Sequence, residues 1–436
     1  MPHSRRLAVA AVLASLAMAP SVALAQACDP TDIFATPVPY ASGLRPTFVA
    51  IGDLDGDGLP DLGVANFSTE DISVLLGNGD GTFAPEMRYD GGRLPRTLAF
   101  GDLDGDGDAD MAVAFQNNNG VRVLPNNGDG TFEPGVLYRA GEDAFCVAIG
   151  DLDGDGDNDM AVGNLSSDDV SVLLNNGDGT FAPQAVYRVG TSPVSLSIAD
   201  LDGDGDDDLA VINSGWLGGG GDTATVLLNN GDGSFASGVF YPVGDHPLSL
   251  AIGDLDGDGD TDMAVANLRA DNVGVLANNG DGTFAGAVFY RVGVGPSSVA
   301  IGDLDGDGAP DLSVTNSERG VNTLSVLANN GDGTFATQTL YGVGDDPSGI
   351  AIGDLDGDGD ADLAVANFES STIGVLLNRC ACRADFDGNG ELTFMDYLAF
   401  QTAFLAGDPA ADFDGDGRLS VFDFLFFQNE FLTGCP

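Results

Sequence analysis

Aspartates recur in this chain at positions 1, 3, 5 and 9 of one nine-residue string, Asp-x-Asp-Gly-Asp-Gly-x-x-Asp. Seven copies carry it: Asp53, Asp55, Asp57 and Asp61; Asp102, Asp104, Asp106 and Asp110; Asp151, Asp153, Asp155 and Asp159; Asp200, Asp202, Asp204 and Asp208; Asp254, Asp256, Asp258 and Asp262; Asp303, Asp305, Asp307 and Asp311; and Asp354, Asp356, Asp358 and Asp362. Alternate carboxylates on a short loop, with glycine at position 6 where the chain must turn sharply, can wrap a hard cation that takes six to eight oxygens. Four carboxylates held together repel one another without a cation, so the chemistry read here is calcium binding; magnesium would take fewer protein ligands and more water. Two further Asp-rich loops begin at Asp385 and Asp412, which brings the expected number of calcium ions to about nine. The seven loops use 28 aspartates and the last two loops seven more, so 35 of the 68 acidic residues are read as ligands. Five loops also carry Asp at position 7 (Asp108, Asp157, Asp206, Asp260 and Asp360), where the backbone carbonyl is the usual donor; those side chains are expected to face water.

The elements that position these loops come from the repeat. Successive strings start 49, 49, 49, 54, 49 and 51 residues apart. Each is preceded by a short apolar run such as Phe48-Val49-Ala50-Ile51 and followed by another such as Leu62-Gly63-Val64-Ala65. A third run, Ile72 to Leu76, leads into the turn Asn78-Gly79-Asp80-Gly81-Thr82-Phe83, and a fourth ends at Tyr89. Four short β-type runs per unit, separated by Gly, Asp and Asn turns, predict a four-stranded antiparallel blade, and seven blades predict a closed all-β propeller. The seventh unit stops after its third run, while Phe34 and Tyr40 near the N-terminus keep the Phe-to-Tyr interval of Phe83 to Tyr89. The N-terminal segment is therefore expected to supply the missing fourth strand and close the ring, removing an exposed edge. On that alignment Cys28 falls near Cys380, and a disulfide between them would pin the closure by about 5 kcal/mol in the chain-entropy model; Cys28 with Cys382 is the alternative. Cys146 sits on a first strand and reads as a packed free thiol.

Composition narrows the function. Of 436 residues, 68 are acidic and 15 basic, for a net charge of −53, and every basic residue is arginine. Such a chain repels nucleic acid and anionic membranes, and without lysine it has neither Schiff-base chemistry nor a Gly-Lys-Ser phosphate loop. Residues 1–25 read as a secretory signal, with Arg5 and Arg6 before an apolar run and Ala23-Leu24-Ala25 at the cleavage site, so the protein is expected to be secreted, possessing no transmembrane segment. Removal of His3 with that signal leaves His246 as the one imidazole for acid–base work.

The repeats resemble the FG-GAP/VCBS type found in integrin α-subunit propellers and some seven-bladed fungal lectins, over roughly residues 28 to 380. The last part of the chain resembles a dockerin of the kind bounded by cysteines and ending Gly-Cys-Pro, as Gly434-Cys435-Pro436 does. The resemblance implies calcium ligands at Asp385, Asp387, Asn389, Thr393 and Asp396, then Asp412, Asp414, Asp416, Ser420 and Asp423, and a staple from Cys382 to Cys435. It also implies a cohesin-like or surface protein as partner, although loop positions 10 and 11, which help select cohesins, are Phe394-Met395 and Val421-Phe422 here. The organisation is thus a signal (1–25), a propeller (26–381) and a small α-helical calcium-loop domain (382–436). That last domain is too small to bury Tyr397, Phe400, Phe404, Phe422, Phe424, Phe426, Phe427 and Phe431 together, so some of this surface should meet a partner or the propeller.

Recognition is expected on the face opposite the calcium loops, where the second-to-third loops and inter-blade links vary. Trp216, in the glycine-rich excess of the fourth unit, could stack on a sugar, and Arg45, Arg93, Arg96, His246 and Arg269 on the same face could hold an anion. The Tyr row (Tyr40, Tyr89, Tyr138, Tyr187, Tyr241, Tyr290 and Tyr341) is read as inter-blade packing, and the Asn row (Asn66, Asn164, Asn213, Asn267, Asn316 and Asn367) as caps for loop backbone. The leading expectation is a secreted, non-catalytic binding or adhesion protein for a glycan or an extracellular protein. The alternative is an extracellular polysaccharide lyase, which needs a base and a group that neutralises a uronate carboxylate.

Overall fold

The computed structural model describes residues 33–379 apart from 118, 216–220 and 319, and, towards the C-terminus, residues 386, 393–406, 411, 419–420, 423–425, 427–428 and 431. Seven four-stranded antiparallel sheets follow one another, six of them in chain order and the seventh completed by the N-terminal strand. In blade 1 the strands are Pro46–Gly52, Asp61–Asn66, Asp71–Leu75 and Met87–Asp90. First strands of successive blades pack side by side and surround the central channel. The second strand is buried along its whole length and the third nearly so, because blades cover both faces; that is why these strands read as near-continuous Val, Leu, Ile and Ala. The fourth strand is mostly exposed, with its Tyr half-buried, and is only four residues long, which suits an outer edge.

The ring closes as the repeat predicted. Val38–Ala41 pairs with Thr372–Leu376, with Tyr40 opposite Ile373, and completes the sheet that contains Pro347–Gly353. A bridge between Phe34 and Asn378 stands where Phe83 bridges Gly77 in blade 1. The core is divided among the seven interfaces between blades: Ala112, Ala114 and Val121 of blade 2, for instance, pack with Val147, Met160 and Val162 of blade 3. Cys146 is buried and free in the next interface, and burial pushes its thiol up to about 12. Cys28, Cys380, Cys382 and Cys435 lie outside the described residues, and so do both proposed disulfides.

Towards the C-terminus the helix Phe394–Ala406 carries Phe400, which stacks on Phe427 at 3.9 Å between ring centroids; both rings are fully buried. Among the described residues no helix is long and apolar enough to cross a membrane.

Candidate functional site

The nine-residue strings all lie between the first and second strands of their blades. In the second loop the Asp102 carboxylate accepts the N–H groups of Gly105 (2.7 Å) and Gly107 (3.0 Å), and Asp104 and Asp106 accept those of residues two further on. Gly105 and Gly107 have φ of 81° and 97°, a left-handed backbone that side chains disfavour, so the glycines are required by conformation. Asp110 is buried and holds the loop from below, accepting the Leu103 N–H at 3.0 Å and the Asn126 N–H at 2.8 Å. The turn thus folds the carboxylates inwards. One oxygen each from Asp102, Asp104 and Asp110 lies within 4.8 Å of the others, and the same positions converge in the loops of Asp151, Asp200 and Asp254; in the first loop it is Asp53, Asp55 and Asp57 that do so.

Burial first, and then repulsion from Asp104 and Asp106, pushes the Asp110 carboxyl up to about 6; the equivalent Asp311 and Asp362 rise to about 7. Asp104 is raised for the same reasons. All-oxygen donors, with the carboxyls at positions 3 and 9 raised by burial and crowding, are the donor set of a hard divalent cation, and the residues present fit one. The position-7 aspartates differ from expectation. Asp108, Asp157, Asp206 and Asp260 are half-buried, folded over Gly128, Gly177, Gly231 and Gly280 of the turn after the third strand of their own blade, because a glycine there leaves room for the carboxylate. Asp360 is also half-buried, and desolvation followed by repulsion from Asp358 pushes it up to about 7.

Of the C-terminal loops, Asp385, Asp387, Asn389, Asp412, Asp414 and Asp416 lie outside the described residues. Asp396, in the first turn of the helix Phe394–Ala406, and Asp423 are buried, and they accept the backbone N–H of Thr393 (2.7 Å) and Ser420 (2.5 Å). The Met395 N–H in turn donates to Thr393 Oγ1, so Thr393 and Asp396 form a reciprocal N-terminal cap.

A residue type that the sequence reading passed over ties each calcium-type loop to the following blade. At the end of the third strand, Asn126, Asn175, Asn229, Asn278, Asn329 and Asn378 each donate Nδ2 to the position-2 carbonyl of the preceding blade's loop, at 2.7–2.9 Å. Blade 1 has Gly77 instead, and there the Gly81 N–H alone reaches Leu355 O. The sequence signal is the doubled Asn before Gly-Asp-Gly, which marks five of the six; Asn378 is followed by Arg379, and in blade 1 Gly77-Asn78 stands instead. The Tyr row does pack between blades. Each ring meets the turn Phe of the next blade edge-on, from Tyr40 with Phe83 to Tyr290 with Phe335, and Tyr341 meets Phe34 across the closure. The Asn66 row is buried, but it caps backbone clearly in blade 3, where Asn164 Oδ1 accepts the Gly141 N–H; Asn66 instead donates to Ser73 Oγ and Asp71.

On the opposite face every first strand carries a β-bulge at its second residue. The bulged residues are Thr47, Arg96, Phe145, Val194, Leu248, Ser297 and Ser348, and all seven line one cavity of about 260 Å³ at the mouth of the central channel. Phe368 and Asp346 line it as well. Of the five expected anion-holding residues, Arg96 lines this cavity, and Arg45 reaches it only through Phe368. The Arg96 guanidinium lies 4.5 Å from the Phe67 ring centre and 5.0 Å from that of Phe145, and Phe67 leads on through Phe368 to Arg45. Arg45 is exposed and pairs with Glu369 at 3.3 Å. Arg96 donates to Gln116 at 3.0 Å, its Nε is buried without a partner, and burial lowers it to about 10. Arg93 and Arg269 are exposed outside the cavity lining; His246 is buried before the inner strand of blade 5, with its pKa lowered by desolvation and by Arg269. Trp216 lies outside the described residues.

Residues 53–113, 102–162, 151–211, 214–265, 254–314 and 303–365 match the model of the FG-GAP-like repeat. No curated protein matches the chain. Among solved structures it is similar to a lectin of Agrocybe aegerita that recognises non-reducing terminal N-acetylglucosamine, at 24% identity and a TM-score of 0.51, over 74% of this chain and 86% of that one. It is also similar to BBS1N, solved in complex with ARL6DN (12%, TM-score 0.57, 79% and 96%), and to virginiamycin B lyase of Staphylococcus aureus (12%, TM-score 0.52, 78% and 98%). At these identities the likeness is one of fold.

Proposed function

We propose, for a chain that belongs to the FG-GAP-like repeat family, a secreted, calcium-loaded and non-catalytic binding protein whose propeller recognises a glycan. One observation carries the reading. The residues that recur in every blade are engaged in holding loops and blades together, while the residues at the seven bulges, which vary from blade to blade, converge on a single cavity. A scaffold of constant residues that presents variable ones in a concavity is the architecture of recognition. Calcium would be held by the aspartates at positions 1, 3, 5 and 9 of each loop, offsetting their mutual repulsion and stiffening the turn that the next blade's Asn grips. The Agrocybe aegerita lectin supports a glycan as the ligand class, since it uses the same fold for one.

The C-terminal domain is proposed as a dockerin-like anchor for a cohesin-like or other surface protein. Its support is the exposure of Phe394, Met395, Leu405 and Leu425, an apolar surface beside a buried Phe400–Phe427 pair. The test is a glycan array probed with the calcium-loaded full chain, with and without EDTA, and with residues 383–436 deleted. Calcium-dependent glycan binding retained by the truncated chain, with no product released, is expected. Release of a cleaved product would replace this reading with the lyase. Unfolding of the truncated chain would place the domain boundary elsewhere.

A further inference from the structure

A bulge leaves one residue unpaired at the rim of a sheet and re-aims its side chain. Seven bulges around one channel therefore make a ring of seven freely chosen side chains, and here the choice is sorted by chemistry. Phe145, Val194 and Leu248 on blades 3 to 5 form an apolar arc, and Ser297, Ser348 and Thr47 on blades 6, 7 and 1 form a hydroxyl arc. Arg96 stands between them on blade 2.

Arg96 is an exception in a chain of net charge −53. Arg45, Arg88 and Arg122 pair with carboxylates and the other described arginines without an ion pair are exposed, whereas Arg96 is half-buried with no ion-pair partner among the described residues. Its Nε donor is buried and unused, with the guanidinium plane held between two phenylalanine rings. A buried donor on a permanent charge costs free energy until an acceptor reaches it, and the planar fork of arginine is matched by a carboxylate. The hydroxyl arc is already half-engaged. Ser297 donates to Pro347 O and Ser348 to Pro46 O, both at 2.8 Å, and Thr47 donates to Arg96 O at 3.0 Å. With their hydrogens directed at backbone, these hydroxyls offer the cavity lone pairs, so the ligand must bring hydroxyl donors of its own. Acetate or a halide ion has no such donors. The apolar arc asks for a ring face rather than a second charge, and about 260 Å³ is below the ~300–1,000 Å³ of drug-sized sites, enough for one ring.

The geometry points to this cavity as the seat of a single carboxylated sugar ring of the uronate class, its carboxylate on Arg96, its hydroxyls on the Ser/Thr arc and its apolar face on Phe145. This rests on the reading of the propeller as a glycan-binding module. Titration calorimetry of the calcium-loaded full chain with D-glucuronate, D-galacturonate and neutral D-glucose tests it. At least one uronate is expected to bind and glucose to bind at least tenfold more weakly. Arg96→Gln should lower uronate affinity by ~10- to 100-fold, the range for a hydrogen bond to a charged group. Leu248→Glu, which leaves Arg96 intact and puts a negative charge in the same cavity, should weaken uronate likewise, and Arg139→Gln on an outer strand should change nothing. Thermal melts of each variant show that it is folded, and should Arg96→Gln not fold, Leu248→Glu carries the test. Equal binding of glucose and uronate, or uronate binding indifferent to both cavity variants, overturns the assignment. Binding of neutral glycans on the array, with neither uronate bound, overturns it while leaving the glycan-binding reading intact.

Discussion

Replacing Asn175 with Ala tests how the blades are held together. The Asn175 side chain is buried and makes three hydrogen bonds: Nδ2 donates to Leu103 O of the preceding blade's loop and to Asn158 O, both at 2.8 Å, and Oδ1 accepts the Gly177 N–H at 3.1 Å. Its backbone N–H bond to Asp159 would survive the change. Three lost bonds at a net 0.5–1.5 kcal/mol each, two of them leaving buried carbonyls unmatched, give a cost of about 3 kcal/mol. For a ring of this size that lowers the melting temperature by about 6 °C, since larger domains shift by only ~2 °C per kcal/mol. Asn176→Ala is the control. Asn176 is the next residue, is exposed, and bonds only to Thr180 inside its own turn, so its loss should cost under about 1 kcal/mol. Calorimetric melts of both variants in saturating calcium decide the matter. An Asn175→Ala protein that melts within 1 °C of the parent, or an Asn176→Ala protein that loses as much, would refute the idea that the amide couples neighbouring blades.

Three further outcomes follow from the same structure. In chelator the position-9 carboxyls stand at about 6 to 7 when folded, against an ordinary 3.8, so the folded state binds more protons and loses stability as pH rises through that interval; metal-free protein should melt higher at pH 5 than at pH 7.5, and saturating calcium, which needs the carboxylates ionised, should reverse the order. Cys146, buried with its thiol pushed up to about 12, should resist a thiol reagent at pH 8 in the native protein and react once the protein is unfolded. Peptide mapping without reduction is expected to find Cys28 joined to Cys380 and Cys382 to Cys435, and a Cys146 found oxidised to another cysteine would contradict its buried, free state.

The sequence by itself determined what depends on neighbouring residues. The loops at Asp53 to Asp354 were legible because glycines with left-handed φ and alternate aspartates act within nine residues, and they fold the same way wherever they are placed. The four strands and the seven blades were legible because turn chemistry and apolar runs are local, and closure by Val38–Ala41 followed from one repeated interval, Phe34 to Tyr40. The Tyr row was assigned to blade contacts for the same reason, although its partners, the turn phenylalanines, were not named. What only the tertiary structure decided joins residues from different repeats. Asn126 reaches Leu54 across 72 positions, and the channel cavity gathers side chains from all seven blades. Neither has a periodic signature: the bulge that turns Arg96 towards Phe145 is a shift of register by one residue, and register belongs to the pairing of two strands.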